Sequence, residues 1–110
     1  MSKEFENTDD LSLEDFRLLA EAWRAGRGRS SSAKRMAQHP AYREIVSMGQ
    51  SAVPFIIREL KRQPDHWFVA LHAITGIDPV SEPDRGNIAA MARAWIEWAE
   101  QTGIDIHDAE

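Results

Sequence analysis

Between Pro40 and Pro64 short apolar-periodic runs are punctuated by single prolines and glycines, and this spacing leaves the chain few ways to fold. In "HPAYREIVSMG" Pro40 stands where a first helical turn tolerates an imino acid. Tyr42, Ile45, Val46 and Met48 are the apolar positions, and Gly49 sits just past the helix end. Ser51 is placed to cap a following helix whose apolar stripe is Val53, Ile56, Ile57 and Leu60. Pro54 falls within the first turn of that helix and Pro64 stops it. Two helices joined by so tight a turn are expected to form a hairpin.

The same reading extends in both directions. In "PDHWFVALHAITGIDP" Asp65 is expected to cap a helix that Gly76 ends. Trp67, Ala70, Leu71 and Ile74 line one face, Phe68 and His72 lie on its flank, and Val69 points elsewhere. An apolar arc that wide suits a helix covered from more than one side. "IDPVSEPDRG" holds prolines and a glycine and reads as an ordered loop. A last helix from about Asn87 to Thr102 carries Ile88, Met91, Trp95 and Trp98 at helical spacing and finishes at Gly103. Upstream, Leu13, Phe16, Leu19 and Trp23 recur at three- and four-residue spacing, and Ser12 with Asp15 resembles a capping box. A helix from Ser12 to about Arg24 follows. The only β-prone run, "FII" at 55–57, is embedded in a helical period and is too short to outvote it.

The expected fold is therefore all-α, with about five helices in antiparallel pairs packed against an N-terminal helix. The expected organisation is a disordered N-terminus over 1–11, the amphipathic helix over 12–25, a flexible basic linker over 26–38, a helical domain over 39–103 and an acidic tail over 104–110. The linker rests on "AGRGRSSS", whose glycines and serines favour a mobile connection.

A chain of 110 residues suffices for one core and one domain. The absence of cysteine excludes disulfides, thiolate nucleophiles and Cys-based zinc sites. A formal net charge of -5 offers no broad cationic field to a polyanion. "MSKEFENTDDLSLEDF" has neither the basic start nor the apolar run of a signal peptide, and no stretch is apolar enough to span a bilayer, so a cytoplasmic location is expected.

Two stretches carry a family likeness. "MGQSAVPFIIREL" resembles the glycine turn and second helix of a HEAT-like repeat of the phycobilisome-lyase type. "DHWFVALHAITGIDP" followed by "ARAWIEW" is similar to the terminal unit of bacterial HEAT-repeat proteins. Together they cover about residues 39–103. The resemblance implies stacked helix pairs whose exposed face binds other macromolecules, with no catalytic residues to carry over. The chain departs from the pattern in holding barely two repeats where a solenoid normally needs three, so residues 12–24 or a second chain must cap the stack.

Each candidate site has a structural competitor. Trp67, Phe68, Trp95 and Trp98 have the makings of an aromatic platform, but three of the four are in phase with other apolar residues and are expected in the core. Asp65 and His66 are adjacent and so point about 100° apart on a helix, which argues against an acid/base pair. His39, His66 and His72 lack metal-ligand spacing, so neither metal nor cofactor is expected. Asp78, Glu82, Asp84 and Arg85 crowd one proline-fixed loop, where helix-end caps and an Arg85 ion pair compete with a binding role.

The expected function is that of a small non-catalytic helical adaptor. Arg58, Lys61 and Arg62, with Asp78 and Asp84, are the expected contacts to a protein partner. The alternative is a nucleic-acid-associated accessory factor or antitoxin-like regulator using Arg24, Arg27, Arg29, Lys34 and Arg35. An enzyme would have to draw on Asp65, His66 and Asp84. A homodimer is a further expectation, because so short a helical layer leaves an apolar face in need of cover.

Overall fold

The computed structural model of the chain describes residues 3–27 and 32–104, with side chains in the first helix described from Leu13 onward. The fold is all-α. Among the described residues the six helices are α1 (Lys3–Arg27), α2 (Ala33–Met36), α3 (Pro40–Ser47), α4 (Val53–Arg62), α5 (Phe68–Thr75) and α6 (Ile88–Thr102). Short 3-10 turns at Gly49–Ala52 and Glu82–Asp84 link α3 to α4 and α5 to α6.

α1 is longer than the sequence reading anticipated. It runs through both the expected disordered segment and the expected Ser12 cap, so Ser12 lies inside the helix and not at its start. Arginines at 24 and 27 in its last turn match the sign of the helix dipole at that end.

The expected linker also changes character. Arg27 belongs to α1, and α2 occupies Ala33–Met36. Met36 is buried, and its carbonyl accepts the indole N–H of Trp23 at 2.9 Å. A buried Trp usually finds an acceptor for its ring nitrogen, and for Trp23 the end of α2 supplies it. Residues 28–31, Arg29 among them, and residues 105–110 of the expected tail lie outside the described residues.

The core is continuous from α1 to α6 and is organised around Trp67. That indole is fully buried and packs against Trp23, Phe16 and Tyr42, with ring centroids at 4.5, 5.7 and 5.7 Å. Aromatic contacts at these distances add about 0.5–1.5 kcal/mol each beyond the area they bury. Ile45, Ile56, Ile57, Leu60, Leu71 and Trp95 extend the same core. The opening aromatic pair of "HWFVALHAIT" thus divides: Trp67 is buried and Phe68 half-buried. Trp98 is also half-buried and meets Trp95 edge-on at 5.3 Å. α3 packs against α1 on one side and α5 on the other, while α4 packs against α6.

Helix ends follow local chemistry, with three departures from expectation. Asn87 caps α6 by accepting the Ala90 N–H at 3.0 Å, and Gly103 closes that helix with a left-handed φ of 87°. α4, however, starts from Ala52 with no side-chain cap, because Ser51 donates its hydroxyl to the Met48 carbonyl. Asp65 does not cap α5, which starts at Phe68 with no cap from its own N-cap residue, Trp67. Neither Asp78 nor Asp84 caps a helix through its side chain: Asp78 accepts the Val80 N–H, and Asp84 accepts the Ser81 hydroxyl.

Candidate functional site

The first polar cluster lies where the end of α1 meets α4 and the α4–α5 connection. Arg24 Nη2 donates to Glu59 Oε1 at 2.7 Å, and Arg27 Nη1 donates to Asp65 Oδ1 at 2.7 Å. Arg62 approaches Glu59 at 3.7 Å and Arg24 approaches Asp65 at 3.9 Å, so the four ion pairs form a chain. The Arg27 guanidinium also lies 4.3 Å from the centre of the Trp23 ring. Partial burial acts to raise the Asp65 pKa, but the Arg27 hydrogen bond and the His66 backbone N–H outweigh it and hold the carboxyl below its ordinary range. Asp65 Oδ1 accepts that backbone N–H at 2.7 Å as well as the Arg27 hydrogen bond, and so ties the α4–α5 connection to the end of α1.

The missing cap of α5 comes from α3. The Tyr42 hydroxyl accepts the Ala70 N–H at 2.9 Å and donates to the His66 carbonyl at 3.1 Å. It takes the place of an N-cap side chain from a different helix. Burial pushes the Tyr42 pKa well above the ordinary phenol range, so the group stays neutral and suits exactly this two-way hydrogen bonding in its hydroxyl form.

In the α5–α6 loop Arg85 binds Asp78 at 2.6 Å and Glu82 at 3.3 Å. The Arg85 hydrogen bond lowers the Asp78 pKa, and Asp78 in turn raises that of Arg85. His72 Nδ1 lies 3.1 Å from the Ile77 carbonyl. A recess of about 250 Å³ beside this loop is lined by Phe68, Val69, His72, Val80, Met91 and Trp95 together with the Asp78–Arg85 pair. Val69 and Ile77 are the exposed apolar residues at this end of the molecule.

The expected contact residues fall into separate groups. Arg58, Lys61 and Arg62 lie on α4, where Arg58 is half-buried over the Phe55 ring at 5.8 Å and Lys61 and Arg62 are exposed in the last turn. Asp78 and Asp84 lie in the loop before α6 and are engaged by Arg85 and Ser81. Of the basic residues proposed for phosphate contact, Arg24 and Arg27 are drawn into the ion-pair chain, whereas Lys34 and Arg35 are exposed on α2. Among the described residues no group of three or more His, Asp or Glu is arranged to hold a metal ion, and no helix is long and apolar enough to cross a membrane.

The larger opening is one that the sequence did not suggest. A groove of about 660 Å³ runs between α1 and α3, and its walls are Leu18, Leu19, Pro40, Ala41 and Met48, with Asp15, His39 and Glu44 on the margin. Its volume is within the range of ligand-binding clefts. Leu18 is 62% exposed, the largest exposure among the described large apolar side chains. A signal was present in "LL" at 18–19: with Phe16, Ala20 and Trp23 buried, the core-facing stripe has no place for Leu18.

No family model, curated protein or solved structure matches this chain.

Proposed function

We propose that this chain is a small non-catalytic helical adaptor, cytoplasmic in location, that works by shape and charge complementarity to a protein partner. The observation that carries the reading is the solvent-open apolar groove between α1 and α3, set beside polar clusters that are each spent on holding helices together. Arg27 is engaged with Asp65 of the α4–α5 connection and Tyr42 with His66 and Ala70 at the start of α5, and groups so engaged serve structure before chemistry. The order of packing, α1 against α3 against α5 with α4 against α6 beside them, supports a HEAT-like arrangement in which α1 covers the first repeat.

The groove is favoured as the contact surface over Arg58, Lys61 and Arg62 on α4 or Asp78 and Asp84 in the loop. It offers contiguous apolar area, whereas Asp78, Asp84 and Arg62 already have partners within the chain. Nucleic-acid binding through Arg24, Arg27, Arg29, Lys34 and Arg35 is the weaker reading, because releasing Arg24 and Arg27 to a phosphate backbone would break their pairs with Glu59 and Asp65.

Photo-crosslinking residues placed at positions 18, 61 and 84 test the proposal in extracts of the producing cell. A discrete protein adduct at one or more of the positions, strongest at 18, is expected. Absence of protein adducts at all three, or adducts made of nucleic acid, overturns it.

A further inference from the structure

The groove has a charge as well as a shape. Its margin carries Asp15 from α1 and Glu44 from α3, and no lysine or arginine lines it. On α1 the exposed Leu18 has Glu14 and Asp15 one turn before it and Glu21 one turn after, all of them exposed. Among the described residues none of these four carboxylates joins an ion pair, in contrast to Glu59, Asp65, Asp78 and Glu82, which all do. Arg17 lies one turn from both Glu14 and Glu21, on the side of the helix away from Asp15, and Arg43 lines a smaller adjoining recess with Pro40, Glu44 and Ser47, so the groove takes its own charge from Asp15 and Glu44. His39, on the same margin, is held by its Nδ1, which accepts the Ala41 N–H.

Resting on the adaptor reading, we infer that the α1–α3 groove receives an amphipathic helical segment of a partner protein, whose apolar side chains enter between Leu18 and Met48 and whose flanking lysines or arginines meet Asp15 and Glu44. An apolar trough with a ring of one sign is the complement of a basic amphipathic helix, which anchors at i, i+3, i+4 and i+7. The same ring disfavours the other occupants. Phosphate backbones and anionic membrane surfaces carry the wrong sign. A second copy docking by twofold symmetry would set Leu18 against Leu18 but also carboxylate against carboxylate.

The probe is a fluorescein-labelled helix-forming peptide of about 18 residues built from leucine and lysine with leucines at that spacing, with a leucine–glutamate twin as control. It is titrated into the full chain by anisotropy and mapped by methyl shifts in NMR. Binding in the micromolar range is expected for the lysine peptide alone, with shifts at Leu18, Leu19 and Met48. Leu18→Ser, and separately Asp15→Lys with Glu44→Lys, should weaken it by about tenfold or more. Glu97→Lys with Glu100→Lys, exposed on α6, makes the same change in net charge and should weaken it far less. Circular-dichroism melts confirm that each variant is folded. The inference is overturned by no binding of the lysine peptide, by equal binding of the twin, by equal weakening from both charge reversals, or by shifts centred on Val69 and Ile77. It is also overturned by sedimentation showing a dimer of the free chain that Leu18→Ser disperses. If the inference fails while protein adducts still form at position 61 or 84, the groove is excluded and the adaptor reading stands; if no position gives adducts, the reading itself falls.

Discussion

Tyr42 ties α3 to α5 through one oxygen, and it is the only tyrosine in the chain. Replacing it with Phe keeps the ring stacked on Trp67 but leaves the Ala70 N–H and the His66 carbonyl without this partner, a loss of about 1–3 kcal/mol measurable by chemical denaturation. Its pKa is raised in the fold, so the folded state holds the phenol proton more tightly than the unfolded state. The stability this contributes is fully present below the ordinary phenol pKa of about 10 and is lost as pH rises beyond it. Absorbance at 295 nm should show no tyrosinate until the chain unfolds, whereas Tyr42 ionising near pH 10 in a folded chain would contradict its placement. Asp65 works in the opposite direction. Its folded pKa is lowered, so its contribution is present above about pH 4, the ordinary Asp value, and is lost as pH falls through the folded one. Asp65→Asn should cost about 1 kcal/mol at neutral pH, a modest figure because solvent still reaches the pair. It should also flatten the acid limb of stability against pH, which urea melts from pH 7 to pH 3 would read out.

At the scale of elements, Gly26 and His39 show how α1 and α3 are fitted together. A methyl group on Gly26 would collide with the His39 imidazole, the same ring that caps α3. Ala in place of Gly within a helix normally gains about 0.5–1 kcal/mol. Here Gly26→Ala should instead destabilise, and in a His39→Ala background the same change should become neutral or stabilising, a coupling that a double-mutant cycle measures directly. This contact also marks the limit of what the sequence discloses. α6 was legible from end to end because Asn87, the Ile88–Trp98 period and Gly103 are local signals. The starts of α3 and α4 were legible from Pro40 and Pro54, but the close pairing expected of the two is not what the fold shows, since α3 lies against α1 and α5 and α4 against α6. α1 was misread at both ends: its acidic start looked like a solvated tail, and its arginines looked like the head of a linker. Their partners, Glu59 and Asp65, are far away in the chain, and no local pattern announces them. The groove was hidden similarly, since Leu18 and Met48 become neighbours only once α1 lies on α3.

For the molecule as a whole, the decisive relation is that α1 shares one core with the helices that follow it. Phe16 and Trp23 reach Trp67 directly, and Trp23 also meets Tyr42 of α3 with ring centroids 5.1 Å apart, so the same aromatic cluster holds α1 against α3 along the groove. A chain built this way should unfold in a single cooperative step, with no stage at which α3 to α6 persist without α1. Native-state hydrogen exchange tests this most directly. Amides of α1 from Phe16 to Trp23 should fall in the same slowest-exchanging class as those of Ile56–Leu60 in α4 and Trp95–Ala99 in α6, with opening free energies close to that of global unfolding. Exchange in α1 faster by orders of magnitude, while α3 to α6 remain protected, would contradict the shared core and with it the groove.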